Sequence, residues 1–140
     1  MLSGSVALSI YTLPRATRDF DFVVHLQQKD IGDLLARFRE GYYCDRDAVK
    51  EAIMHHSMFN IIDHASGFKA DFIILKNEPF RKAEFDRRLE IVFEGMPVNV
   101  VSAEDLLLSK IRNYKVLYKL KTSKTFQRKK ILIGHTSIVG

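Results

Sequence analysis

The chain has 140 residues, 46% of them hydrophobic and 28% charged, the composition of one globular domain with a modest core at the small end of enzyme size. Its longest apolar runs, such as residues 72–75, are far too short to span a bilayer, no secretion-signal pattern opens it, and its single cysteine forms no internal disulfide; a cytoplasmic location is expected. The net charge of +5 is unevenly placed, because residues 111–140 hold eight Lys or Arg and no acid, while residues 1–110 hold seventeen acids against fourteen bases.

Met1 to Ser3 reads as the end of a strand or the approach to a Gly4-Ser5 turn. Val6 to Leu13 reads as a short helix with Ser5 near its start and Pro14 ending it. The free N–H groups of such a helix start, with a hydroxyl beside them, suit a phosphate. Arg18 to Leu26 is the first long strand, and within it Asp19 and Asp21 stand two apart. Residues i and i+2 of a strand project to one face, so the two carboxylates point together. Two anions side by side are unfavourable without a cation between them, and a divalent metal answers that need.

Asp30 is a candidate N-cap for a helix through Arg39, with Ile31, Leu34, Leu35 and Phe38 on one face and Gly41 closing it. Asp45 is a second N-cap candidate, followed by a helix from Arg46 to about Met54. Met58 to Asp63 and Phe68 to Leu75 are β-rich runs separated by His64-Ala65-Ser66-Gly67, the composition of a hairpin with a longer loop. Phe68, Ala70, Phe72 and Ile74 share one face of the second run; Lys69, Asp71, Ile73 and Leu75 share the other. Asp71 is thus an acid in a strongly apolar strand. Pro79 to Phe85 is a short helix or loop. Arg88 to Phe93 and Val98 to Val101 form another strand pair around Glu94-Gly95-Met96-Pro97. Ser102 caps a final helix in an S-x-x-D box with Asp105, and Leu106, Leu107, Ile111 and Tyr114 supply its buried face. From Lys115 the periodicity fades, so the division expected is residues 1–114 as the domain and 115–140 as a basic, mobile tail with a short strand at Ile131 to Ile133.

Gly4-Ser5, a helix, then Arg15-x-Thr17-x-Asp19-x-Asp21 resembles the signature of the nucleotidyltransferase superfamily, the polymerase-β-like fold, with the minimal MNT-type or AbiEii-like domains as the expected kin. The resemblance extends more weakly over roughly residues 3 to 112. It implies an α/β domain, a mixed and largely antiparallel sheet flanked by helices. It also implies that Asp19 and Asp21 hold divalent metal, with a third carboxylate arriving from a neighbouring strand. The family's usual preceding helix and strand are not present in full, and neither is its longer C-terminal helical region, which implies a late start or a fold without its first helix, and an altered C-terminus.

Asp71 is the candidate third acid, because its strand can pair with that of Asp19 and Asp21; Asp63, beside the turn, is a rival better read as a turn former. Gly4 and Ser5 are candidate phosphate contacts, with Arg15, Thr17 and Lys110 as further nucleotide contacts. Arg18 serves equally as a phosphate contact or an ion-pair partner. Adjacent His55 and His56 diverge on any regular element and have no H-x-x-x-H or cysteine partner, so they read as ordinary surface or core histidines. Cys44 reads as structural, since no nucleophile motif surrounds it. The P-loop, G-x-G-x-x-G and G-x-S-x-G patterns are missing, which removes the common nucleotide-binding and hydrolase alternatives.

The implied reaction is transfer of a nucleoside monophosphate from an NTP to a hydroxyl, with Mg²⁺ in a two-metal site (Mn²⁺ the substitute) at Asp19, Asp21 and Asp71. The acceptor is left open among a protein, an RNA and a small molecule. A toxin–antitoxin setting is favoured by the short chain without a separate acceptor-binding domain. The alternative is a catalytically inactive module of the same fold, an antitoxin or nucleotide sensor. A third reading takes the basic tail as an RNA contact with tRNA as acceptor, a non-specific attraction that fades with salt. No membrane partner is expected, and a homodimer remains open.

Overall fold

The computed structural model describes residues 1–12 and 19–122. The elements run β1 (Leu2–Ser3), α1 (Gly4–Tyr11), β2 (Asp19–Val24), a 3₁₀ turn (Gln28–Asp30), α2 (Ile31–Arg37), β3 (Tyr42–Tyr43), α3 (Arg46–His55), β4 (Met58–Asp63), β5 (Lys69–Ile74), α4 (Pro79–Asp86), β6 (Leu89–Phe93), β7 (Met96–Val100) and α5 (Ala103–Thr122). The chain divides into two units, residues 1–106 and 107–140.

Among the described residues, the strands form one seven-stranded sheet in the order β3-β4-β5-β2-β1-β7-β6. β2 pairs parallel with β5, and β1 parallel with β7; the other neighbours are antiparallel. This is a mixed, mostly antiparallel α/β architecture, with β2 near its centre.

Register sorts the side chains onto two faces. Phe22 lies opposite Leu2 on one side and Phe72 on the other, and Phe72 lies opposite Phe59. These residues and their i±2 neighbours make the apolar face. Near β1, Leu2 and Val100 bury against Val6 and Ala7 of α1, with Phe20 and Phe22 beside them. Near β4 and β5, Phe59, Ile61 and Ile74 bury against Ile31 of α2 and Val49 and Ala52 of α3. Phe22, Phe72 and Phe59 stack across three adjacent strands, with ring centroids 5.5 and 5.3 Å apart. Phe38 meets Phe72 edge-on at 6.4 Å and ties α2 to the stack. The two-residue alternation of β2, β4 and β5 builds this face and puts Asp19, Asp21, Asn60, Lys69 and Asp71 on the other.

The local stops follow from side-chain chemistry. Asp45 caps α3 by accepting from the Ala48 N–H at 2.7 Å, and Asp63 folds the β4–β5 loop by accepting from the Ala65 and Ser66 N–H groups at 3.2 Å. Asp30 behaves differently from the expected N-cap. Its carboxylate turns back to the Gln27 N–H at 2.8 Å in a capping box, so the helical run starts at Gln28, with the 3₁₀ turn before α2. Glu94 and Gly95 take positive φ, 52° and 76°, which closes β6 and β7 with a two-residue turn and brings Met96 and Pro97 into the strand rather than the loop.

Ser102 and Asp105 form the predicted box: the Asp105 N–H donates to Ser102 Oγ at 3.2 Å, and that hydroxyl donates to Asp105 Oδ2 at 3.0 Å. Arg87 adds a forked pair to the same carboxylate, 3.0 and 2.7 Å long. Of the apolar residues expected on the inner face of α5, Leu106 is buried, but Leu107 and Ile111 are exposed. The helix continues past the fading periodicity to Thr122, through Lys, Leu and Tyr residues with no Gly or Pro to stop it. The expected strand at Ile131 to Ile133 lies outside the described residues.

Candidate active site

The polar face of the sheet gathers the acids. In the β2–β5 ladder, Asp21 lies opposite Asp71 and Asp19 opposite Lys69. Parallel strands stand about 4.8 Å apart, and in-register residues share a face, so the Asp21 and Asp71 side chains are neighbours and Asp19 follows one pleat along. Asp71 is thus on the strand beside the acid pair, and its side chain is only 14% exposed. Two further residues hold it: Asn60, opposite it on β4, donates from Nδ2 to Asp71 Oδ1 at 3.2 Å, and Lys69 Nζ stands 3.5 Å from the same oxygen.

Gly4 joins the group from the other side. Ser3 lies opposite Asp21 on β1, and Gly4 follows with φ +64°, turning the chain from β1 into α1. A Cβ on Gly4 would overlap the Asp21 carboxylate, reaching within 2.8 Å of its Cγ. The residue therefore has to be glycine for two reasons, a left-handed backbone and a carboxylate seated against its Cα. The position also puts the Asp21 carboxylate at the positive end of α1, whose first-turn N–H groups have no helical carbonyl to bond. No acid occupies that first turn, and Ser3, at the cap position, makes no side-chain capping bond. Ser5 is exposed in the same turn, its carbonyl accepting from Ser9 Oγ at 2.9 Å.

Arg15, Thr17 and Arg18 lie outside the described residues. Lys110 is exposed on α5 in the second unit. The Asp63 carboxyl is held below its usual range by the Ser66 hydroxyl and the Ala65 N–H, in keeping with a turn former. His55 pairs with Glu51 at 3.7 Å along α3, while His56 reaches the Leu75 carbonyl at 3.0 Å, so the two rings diverge. Burial raises the Cys44 thiol, with Asp45 adding to the shift. Sequence reasoning missed Asn60, whose bond to Asp71 depends on register across strands, and it put Lys69 on the same face as Asp71 without pairing the two.

The donor set fits a hard divalent cation, being carboxylate oxygen beside a glycine cradle that leaves no room for a side chain. Among the described residues, no group of three or more His, Cys, Asp or Glu side chains could hold a metal ion. Mg²⁺ ordinarily takes one or two protein carboxylates and completes its shell with water and substrate phosphates.

The open mixed sheet carries α1, α2 and α3 on one face and the paired aspartates on the other. No family profile matches the chain, and no curated protein matches it in sequence. Among solved structures, the chain is similar to TM1012 of Thermotoga maritima, a protein provisionally named a nucleotidyltransferase. The TM-score is 0.60 at 13% identity, over 91% of this chain and 81% of that one. The likeness is one of fold. Among the described residues, no helix is long and apolar enough to cross a membrane.

Proposed function

We propose that this chain is a metal-dependent nucleotidyltransferase, moving a nucleoside monophosphate from an NTP to a hydroxyl. The observation that carries the reading is the meeting of Asp21, Asp71 and Gly4: two carboxylates in register on adjacent strands, one seated against the first residue of a helix. Asp19, Asp21 and Asp71 would hold Mg²⁺, which supplies charge neutralisation on the triphosphate and a lowered pKa for the attacking hydroxyl. The N–H groups opening α1 and the Ser5 hydroxyl receive phosphate oxygens. Asn60 fixes the Asp71 carboxylate, which accepts the proton of the acceptor hydroxyl as its oxygen bonds to the α-phosphorus and pyrophosphate leaves.

The acceptor is a hydroxyl on a protein, an RNA or a small molecule, and a toxin–antitoxin pair is the setting proposed. One observation favours a second reading, a non-catalytic antitoxin or nucleotide sensor: the Asp71 carboxylate already has Asn60 and Lys69 as protein partners. The test is transfer of label from each of the four α-³²P NTPs, with Mg²⁺ or Mn²⁺, onto the protein itself, tRNA and host-cell extract. Label transfer that stops in Asp21→Ala supports the enzyme. Metal-dependent nucleotide binding without any transfer selects the sensor.

A further inference from the structure

We infer that Lys69 is an internal counter-cation for the carboxylate face, displaced from Asp71 when a divalent ion takes that carboxylate; the inference rests on the metal-site reading above. Lys69 opens β5 two residues before Asp71, so both side chains project from the same face. Its Nζ lies 3.5 Å from Asp71 Oδ1, and its backbone is in register with Asp19. The ammonium therefore stands against one of the three acids proposed to bind metal, on a residue whose backbone faces a second.

The physical case is a competition. Adjacent Asp21 and Asp71 carboxylates repel, and before metal arrives the Lys69 charge beside Asp71 offsets part of that repulsion. The same charge opposes an incoming cation, because ammonium and divalent ion draw on the same oxygens. The two ends of the pair are held unequally. The Lys69 side chain is 40% exposed on a flexible stem, whereas that of Asp71 is 14% exposed and bonded to Asn60. The lysine can swing into water while the carboxylate stays in place. A site built this way binds free Mg²⁺ weakly and fills when the ion comes with a nucleotide's phosphates. Lys69 thus acts as a positioning and gating residue, working through Asp71.

The test uses the full chain as wild type, Lys69→Met, Lys69→Gln and Lys69→Arg, with Asp71→Asn and the double variant Lys69→Met/Asp71→Asn. Two quantities are read: Mn²⁺ affinity by electron paramagnetic resonance, and melting temperature in EDTA and in Mg²⁺. Lys69→Met or Lys69→Gln should bind Mn²⁺ about two- to fivefold more tightly, the scale set by a partly exposed ion pair. Both should melt lower than wild type in EDTA and gain more from Mg²⁺, while Lys69→Arg stays close to wild type. In the Asp71→Asn background, Lys69→Met should alter Mn²⁺ affinity much less. Unchanged Mn²⁺ affinity and an equal Mg²⁺ gain in Lys69→Met, with normal Mn²⁺ binding by the wild type, overturn the role of Lys69 and leave the site reading intact. If the wild type binds no Mn²⁺ even with each of the four NTPs present, the site reading and this inference fall together.

Discussion

Replacing Gly4 by alanine separates the two demands on that residue. Gly4 and Gly41 both have positive φ, 64° and 79°, but a Cβ on Gly41 meets nothing within 4 Å, whereas one on Gly4 overlaps the Asp21 carboxylate. The backbone component alone is about 1–2 kcal/mol at either position. At Gly4 the overlap must also push the Asp21 side chain off its rotamer, adding about 0.5–1.5 kcal/mol. Urea unfolding should therefore place Gly4→Ala roughly 1 kcal/mol below Gly41→Ala in stability. A Mn²⁺ titration should separate them further: Gly41→Ala keeps wild-type affinity, and Gly4→Ala loses most of it because the ligand has moved. Equal stability of the two variants with equal Mn²⁺ affinity would refute the steric argument.

Three further outcomes follow from the packing and the charges. Arg87→Met should lower stability modestly at neutral pH, because the Arg87 side chain is 55% exposed although Asp105 is buried. The Arg87 guanidinium, with help from Ser102, holds the Asp105 carboxyl below its usual range, so this contribution is full above about pH 4 and is lost as pH falls through the lowered folded value. Urea midpoints at pH 7 and pH 3 should accordingly differ less in Arg87→Met than in wild type. Phe72→Ala, which removes the middle ring of the Phe22–Phe72–Phe59 stack, should cost about 2–4 kcal/mol in the same assay. Ser102→Ala should cost about 1 kcal/mol through the lost cap of α5, with Mn²⁺ affinity unchanged.

Much of the sheet was legible because strand periodicity is local. Alternation in 19–24 and 69–74 sorts apolar from acidic residues without knowledge of the partner strands, and Asp71 stood out as an acid in an apolar run. The Ser102–Asp105 box and the Asp63 turn are also local, since each bond spans only a few residues. The remainder depends on contacts distant in sequence. Tyr42 and Tyr43 form a two-residue strand only because Asp63 and Ile62 lie alongside, and two residues carry no detectable period. The close approach of Asp21 to Gly4 and the bond from Asn60 to Asp71 arise from strand register. Leu107 and Ile111 have the spacing of a buried helix face yet lie exposed, because spacing alone cannot say where a packed surface ends.

The most direct test of the central claim is calorimetric titration of ATP, GTP, CTP and UTP into the wild-type chain and into Asp21→Ala, with and without Mg²⁺. The account predicts that at least one NTP binds the wild type only when Mg²⁺ is present, and that this binding disappears in Asp21→Ala. Failure of every NTP to bind the wild type with Mg²⁺, or binding that survives loss of the Asp21 carboxylate, would contradict it.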